Sequence, residues 1–189
     1  MTGRTLWLVG WLAIAAVPPA LALDEEAVAR AVAVQEIETL RRLYARATDL
    51  IGLGTPEAVA EGRAIYRRIF APDARITAGD DGRIDFSATG PDAWAEVVEQ
   101  VLGQFAHTQH LIGTQLVLEL SLPDDRGRGG EGVMESYLQA WHQDPGRVLD
   151  IFIGTYRDRV RYFPGMGWRI VEMHLERVGG WVTSLAEAP

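Results

Sequence analysis

The chain has 189 residues and no cysteine. Disulfide bonds and thiol nucleophiles are therefore excluded, and stability must come from the hydrophobic core alone. Basic residues are also scarce, because 18 Lys and Arg stand against 26 Asp and Glu and give a formal net charge of −8. No basic block occurs, which argues against nucleic acid as a partner, since phosphate binding needs a cationic surface. A hydrophobic content of 48% indicates one globular domain with a real core.

Motifs for phosphate binding, for a serine nucleophile and for metal binding are missing as well. His107 and His110 have a spacing that would join them on a helix, but the pattern changes from helix to strand at residue 108. No cysteine or acidic residue completes a recognisable ligand set around them. The sequence therefore predicts no metal and no cofactor.

One long apolar run lies at the N-terminus, from Leu6 to Val17, after a single basic residue, Arg4. Pro18-Pro19 and small residues follow, as is typical of a secretory signal that is cut after Ala22. The mature domain, residues 23–189, would then be periplasmic or secreted in a bacterium and would carry 17 basic and 26 acidic residues. An uncleaved membrane anchor is the alternative, although the two prolines break the span near its end.

Three helices are predicted in the first half of the domain. Apolar residues recur mostly every three or four positions from Asp24 to Ile51, with acidic residues in the first turn. A second helix begins at Thr55-Pro56-Glu57, where a capping residue precedes a proline, and ends at Ala71-Pro72-Asp73. A third begins near Gly90-Pro91-Asp92.

The rest of the chain has the pattern of strands. Arg75–Ala78 is a short strand between the second and third helices, and Gly79–Gly82 has the composition of a turn. Four long strands, each bounded by Gly, Pro or Asp, cover 110–120, 133–142, 148–162 and 168–178. Helices followed by a meander of strands predict an α+β fold, with the helices packed on one face of a curved antiparallel sheet.

His110 lies in the apolar, strand-like segment Thr108–Gly113, while Tyr44 and Asp49 lie near the end of the first helix. A buried histidine that reaches a carboxylate is the simplest acid–base pair available at neutral pH. Five residues on an ideal helix place Tyr44 and Asp49 about 140° apart. Both can face one pocket only if the helix end unwinds or the pocket wraps around it.

Each of these residues also has a simpler interpretation. His110 can be a core histidine that hydrogen-bonds a neighbouring polar group. Asp49 can be solvated, or it can pair with Arg42 or Arg46 on the same helix. These alternatives remain open from the sequence.

Strand 148–162 carries two kinds of side chain on its two faces. Tyr156 and Asp158 share one face, and the arginines at 157, 159 and 161 share the other. An arginine on the pocket face would bind an anionic or carbonyl group, but we favour a solvated or interface face for this arginine row. Tyr156 and Arg159 are both kept as candidate pocket residues.

Five short motifs, in this order, resemble the SnoaL-like branch of the nuclear transport factor 2 superfamily: Leu43–Asp49, Ile69–Ala74, Thr108–Gly113, Gly154–Arg159 and Gly167–Ile170. The resemblance covers about residues 30–180. It implies a cone-shaped α+β roll, in which three N-terminal helices and a strongly curved antiparallel sheet enclose a deep apolar pocket.

The chain looks most like the scytalone dehydratase and bile-acid 7α-dehydratase members of this branch. In the dehydratases and in a hexachlorocyclohexane dehydrochlorinase, a pocket histidine is oriented by an aspartate of the first helix. Those positions are His110 and Asp49 here, and Tyr44 matches a tyrosine of the bile-acid enzyme. His142 resembles a second histidine of scytalone dehydratase. Thr48 departs from that enzyme, which has a tyrosine there, so its detailed chemistry does not transfer.

The resemblance implies a cofactor-free lyase or isomerase that acts on a hydrophobic small molecule such as a steroid, terpenoid or polyketide. In a dehydratase-type elimination, His110 would be the base, Asp49 its orienting carboxylate and Tyr44 a hydrogen-bond donor. The alternative is a non-catalytic domain that binds a small molecule or assembles through the outer face of its sheet as a homodimer or homotrimer. The candidate substrate-binding residues are Tyr156, Arg159, His142 and Trp94.

Overall fold

The computed structural model describes residues 24–185, so the proposed signal segment 1–22 lies outside the described residues. The elements follow in the order α1 (Glu25–Gly52), α2 (Pro56–Ile69), β1 (Phe70–Asp80), β2 (Arg83–Thr89), α3 (Pro91–Leu102), β3 (His107–Ser121), β4 (Glu131–Gln143), β5 (Val148–Phe163) and β6 (Gly167–Ser184). Within these residues, no helix combines the length and the apolar character needed to span a membrane.

The helices begin where their capping residues predict. Asp24 accepts a hydrogen bond from the backbone of Glu26, and Thr55 caps α2 just before Pro56. The end of α2 was predicted too late, because the backbone becomes extended at Phe70. The chain continues there as β1, which is longer than the predicted strand because Phe70 already packs into the core.

The six strands form one sheet in the order β2-β1-β6-β5-β4-β3. Neighbouring strands run antiparallel except β1 and β6, which are parallel. The predicted α+β fold is confirmed, and the sheet, which was predicted to be antiparallel, is mixed because β1 and β6 are parallel. The parallel pair arises because the last strand of the chain returns beside the first instead of closing the sheet on β3.

Strand β2 was missed by the sequence analysis, although its residues alternate. Arg83 and Asp85 alternate with Ile84 and Phe86, and most of the strand is exposed at the edge of the sheet. The alternation of charged and apolar residues is typical of a strand, so the sequence did carry the signal for β2, although neither face of the strand is buried.

The two faces of the sheet differ sharply in β4 and β5. Every second residue of β4 is buried, and in β5 Tyr156, Asp158 and Val160 are buried while the arginines between them are exposed. The buried side chains join those of the three helices in one core. The favoured interpretation of the arginine row as an outer face is confirmed by this burial pattern. The inner face and the helices also enclose a cavity, which holds the candidate site.

Candidate active site

His110 and Asp49 are in contact. The imidazole Nδ1 lies 2.7 Å from Asp49 Oδ1, and the backbone N–H of His110 donates to Asp49 Oδ2 at 3.2 Å. Thr108 Oγ1 also donates to the carboxylate at 3.4 Å. Because a carboxylate only accepts, Nδ1 of a neutral His110 carries the hydrogen and Nε2 keeps its lone pair. The contact therefore selects one tautomer of His110.

The end of α1 can deliver Asp49 to β3 because residue 52 is glycine. A Cβ at Gly52 would lie 2.6 Å from Thr108 Oγ1, so a larger residue would push the helix end away from the strand. The alternative partners of Asp49 are occupied elsewhere, since Arg42 binds Glu38 at 3.2 Å and Arg46 binds Glu61 at 3.0 Å.

His110 lines a cavity of about 290 Å³ between the helices and the inner face of the sheet. The volume is near the lower end of the range for small-molecule pockets. The wall is mostly apolar, and Asp49 reaches it only through His110. The polar and aromatic side chains that line its interior are those of Tyr44, Thr48, Trp94, His110, His142, Phe152 and Tyr156.

Tyr44 is 2% exposed and presents its hydroxyl inside the protein. The indole N–H of Trp94 donates to Tyr44 Oη at 3.1 Å, so the phenol keeps its own hydrogen for another acceptor. Burial raises the pKa of Tyr44, although the nearby Arg41 cation opposes this. Tyr44 and Asp49 do not need to face the same pocket from one side of the helix. Tyr44 lines the cavity, whereas Asp49 lies behind His110 and does not reach the cavity wall.

His142 lies beside His110 on the neighbouring strand, and their ring centroids are 5.4 Å apart. Its ring also stacks on Phe105 at 5.0 Å. Burial, followed by repulsion from His110, lowers the pKa of His142 to about 4. Within residues 24–185, its buried Nε2 has no hydrogen-bond partner. His142 is therefore neutral at neutral pH.

A buried ion pair under the cavity floor was missed by the sequence analysis. Arg41 Nη2 lies 2.5 Å from both carboxylate oxygens of Asp158, and both side chains are fully buried. The guanidinium carbon of Arg41 is 4.5 Å from the ring centroid of Tyr44 and 3.7 Å from that of Tyr156. The sequence did indicate that Arg41 is buried, because it lies on the same face of α1 as the apolar residues Ile37 and Tyr44.

Arg159 does not belong with the other candidate pocket residues. Its side chain is on the outer face and lies 3.6 Å from Glu172. Because side chains alternate along β5, Arg159 and Tyr156 lie on different faces of the sheet. The expectation that both line the pocket is therefore wrong for Arg159. Tyr156, His142 and Trp94 do line the cavity.

The cavity mouth has charged residues that the sequence analysis did not single out: Asp80, Arg83, Asp85 and Arg177. They come from β1, β2 and β6, and β2 itself was not predicted. Among the described residues, no group of three His, Cys, Asp or Glu side chains could hold a metal ion.

The sequence profile of the SnoaL-like domain family matches residues 29–174. The chain belongs to this family. The resemblance inferred from the five motifs is thereby confirmed. No curated protein matches the sequence.

Several solved structures share the fold at low identity. A Novosphingobium aromaticivorans protein with the provisional name scytalone dehydratase is 20% identical, with a TM-score of 0.62, and the match covers 86% of this chain and 99% of that one. A type 2 hexachlorocyclohexane dehydrochlorinase is 13% identical, with a TM-score of 0.66 and coverage of 86% and 97%. The type 3 enzyme of Novosphingobium barchaimii is 11% identical, with a TM-score of 0.66 and coverage of 86% and 98%. At these identities the likeness shows the fold alone.

Proposed function

We propose that this SnoaL-like protein is a cofactor-free lyase that eliminates water or a similar small group from a hydrophobic small molecule. One observation carries the proposal: His110 is hydrogen-bonded to Asp49 at 2.7 Å on the wall of an apolar cavity. The hydrogen bond leaves Nε2 as a base, and the cavity offers room for an apolar substrate.

The elimination would proceed by proton transfer to His110. Its Nε2 takes a proton from a carbon next to a carbonyl group, and the electrons of that C–H bond form a C=C bond as hydroxide leaves the adjacent carbon. Tyr44 donates a hydrogen bond to the carbonyl oxygen, where negative charge develops. The proton on His110 then joins the hydroxide, so the products are the unsaturated compound and water.

The surroundings of His110 favour this chemistry. Asp49 stabilises the imidazolium that forms, because the two groups are in contact in a site of low exposure. His142 stays uncharged, since its pKa is about 4, and so does not place a second cation beside that imidazolium. The names of two structural neighbours, a dehydratase and a dehydrochlorinase, also describe eliminations.

The second candidate is a binding or assembly domain without catalysis. The outer face of the sheet exposes large apolar side chains, which suits contact with another copy in a homodimer or homotrimer. These side chains are Leu111, Tyr137, Trp141 and Trp181. Such an assembly is compatible with the lyase, because that face is opposite the cavity. We further propose that the protein is periplasmic or secreted, on the basis of residues 1–22.

An elimination assay distinguishes the two functions. The residue 23–189 protein is incubated with a panel of cyclic β-hydroxy ketones, and the conjugated enone is followed by its absorbance. We expect turnover of at least one member, with a loss of about a hundredfold or more in His110→Gln. The matched control is His174→Gln, on the outer face, which should keep the wild-type rate. No turnover above the uncatalysed rate in either protein would favour the binding-domain function, and equal turnover in both would exclude His110 as the base.

A further inference from the structure

The cavity has a polar end that the elimination does not use. Arg177, on β6, lines this end together with Asp80 from β1 and the Arg83–Asp85 pair from β2. His110 is on β3, and β5 and β4 separate it from β6 in the sheet. Three strand spacings amount to roughly 14 Å along the curved sheet. A ligand can therefore touch His110 and Arg177 with different ends.

Arg177 and Arg83 differ in their partners. Arg83 binds Asp85 at 2.7 Å. Within residues 24–185, Arg177 has no carboxylate within ion-pair distance; its Nε donates to the Gly179 carbonyl at 3.4 Å, and its guanidinium lies 5.5 Å from the Phe152 ring centroid. The terminal nitrogens of Arg177 are thus available to donate hydrogen bonds to a ligand in the cavity.

A half-buried guanidinium on an apolar wall is a recognition group for a planar anion. It has lost part of its hydration, and its fork of N–H donors matches the two oxygens of a carboxylate. A dianion such as a phosphate suits the mouth less well, because Asp80 and Asp85 contribute two negative charges there.

We infer that the ligand of this cavity is an apolar ring compound that carries a carboxylate, and that Arg177 binds the carboxylate. The ring lies over Phe152 and extends toward His110. This inference rests on the proposed function for the role of His110, but the binding of the carboxylate does not depend on that role. Arg177 is then a specificity residue of the cavity.

Two probes of the same size test the inference: 2-naphthoate, which is an anion at neutral pH, and 2-naphthamide, which is neutral. Binding is measured by calorimetry and by the NMR signal of the Trp94 indole N–H, which lies in the cavity wall. We expect naphthoate to bind about tenfold tighter than naphthamide. Arg177→Met should remove this preference by weakening naphthoate alone, and Arg157→Met, on the outer face, should leave it intact.

Two further variants keep the test decisive. Asp80→Asn removes a negative charge beside the carboxylate site, so it should strengthen naphthoate binding severalfold even if Arg177→Met folds poorly. The proposed function is tested by the turnover of His110→Gln and this inference by the naphthoate preference of Arg177→Met, so each can fail without the other. The inference is overturned if naphthamide binds as tightly as naphthoate, if neither probe shifts the Trp94 signal, or if the preference survives in a folded Arg177→Met variant.

Discussion

At the scale of single residues, two histidines in one cavity have different surroundings. His110 is tied to Asp49 through Nδ1, whereas His142 is buried against Phe105 with its Nε2 unsatisfied within the described part of the chain. Burying a polar atom without a partner costs stability, so His142 is an unfavourable element of the core. Because its pKa is about 4, His142 is uncharged at neutral pH and places no second cation beside His110.

The buried His142 predicts a pH-dependent stability. Its pKa is about 4 in the folded protein and about 6.5 when unfolded, so the unfolded state binds the extra proton between these values. Stability should therefore fall as the pH drops from 6.5 toward 4, by about 2 kcal/mol between pH 7 and pH 4.5 from this residue alone. Urea unfolding of wild type and His142→Gln at both pH values measures the difference. Parallel losses in the two proteins would contradict the assignment.

The sequence allowed some of these residue contacts to be predicted. Asp49 and His110 were paired on the resemblance, and they do meet. Arg159 was kept as a pocket candidate because the sequence did not show which face of the strand points into the pocket. Since Tyr156 points inward, strand alternation places Arg159 on the outer face. Arg41 was overlooked because a charged residue on an apolar helical row is normally expected to reach solvent, and its partner Asp158 is 117 residues away.

At the scale of secondary-structure elements, the shape of the cavity depends on where β5 and β6 change register. The register shifts between Ile153 and Gly154, where Val178 is an extra, exposed residue of β6. A bulge of this kind increases the local twist and bend of a sheet. It lies next to Phe152 and Arg177, so the bend helps to set the distance between the mouth and the interior of the cavity.

We expect Gly154→Ala to destabilise the protein by about 1–3 kcal/mol, because the core cannot accept the added methyl group. The new Cβ would lie 2.7 Å from Phe152 Cε1 and 2.8 Å from Leu175 Cδ1. Gly113→Ala is the control, since its Cβ would meet only ordinary contacts at 3.6 Å and beyond. Urea unfolding measures both, and equal stabilities of the two variants would contradict the tight approach at Gly154.

The elements themselves were predicted unevenly. Helix starts were accurate because Asp24, Thr55 and Pro56 have local roles that do not depend on the rest of the fold. The junction of α2 and β1 was placed too late because Pro72, expected to end the helix, lies inside the strand instead. Proline is tolerated there because the pairing with β6 is interrupted between Phe70 and Arg75.

At the scale of the whole molecule, Arg41 and Asp158 connect the helical layer to the sheet. The pair joins α1 to β5 with both side chains fully buried, and it packs between the rings of Tyr44 and Tyr156. Taking two charges out of water is costly, so the pair stabilises the fold only while both partners are present. The cavity floor therefore depends on a contact between distant parts of the chain.

Breaking the Arg41–Asp158 pair should destabilise the fold strongly. We expect Asp158→Asn to lower the free energy of unfolding by about 3–5 kcal/mol, because Arg41 would remain buried without a counter-charge. The double variant Arg41→Met with Asp158→Leu should cost less than the sum of the two single changes. Arg161→Met, which breaks an exposed pair with Glu131, is the control and should cost under about 1 kcal/mol. Similar small losses at both pairs would contradict the structural role.

The overall architecture was predictable only in part. The order of helical and strand patterns indicated an α+β domain, and the motifs indicated the family. The parallel pairing of β1 with β6 was not predictable, because it joins residues about 100 positions apart and leaves no local pattern. The charged mouth was missed because β2 was not predicted and because Arg177 of β6 pairs in the sheet with Asp80 of β1 across about 100 positions of sequence.

The central claim is that Asp49 holds His110 in the tautomer that leaves Nε2 free as a base. Long-range nitrogen–proton NMR at neutral pH reports the tautomer of each histidine, and the chain has only four. We expect His110 to carry its hydrogen on Nδ1 in the wild type and to shift toward Nε2 in Asp49→Asn. A hydrogen on Nε2 in the wild-type protein, or identical spectra of His110 in both proteins, would contradict the claim.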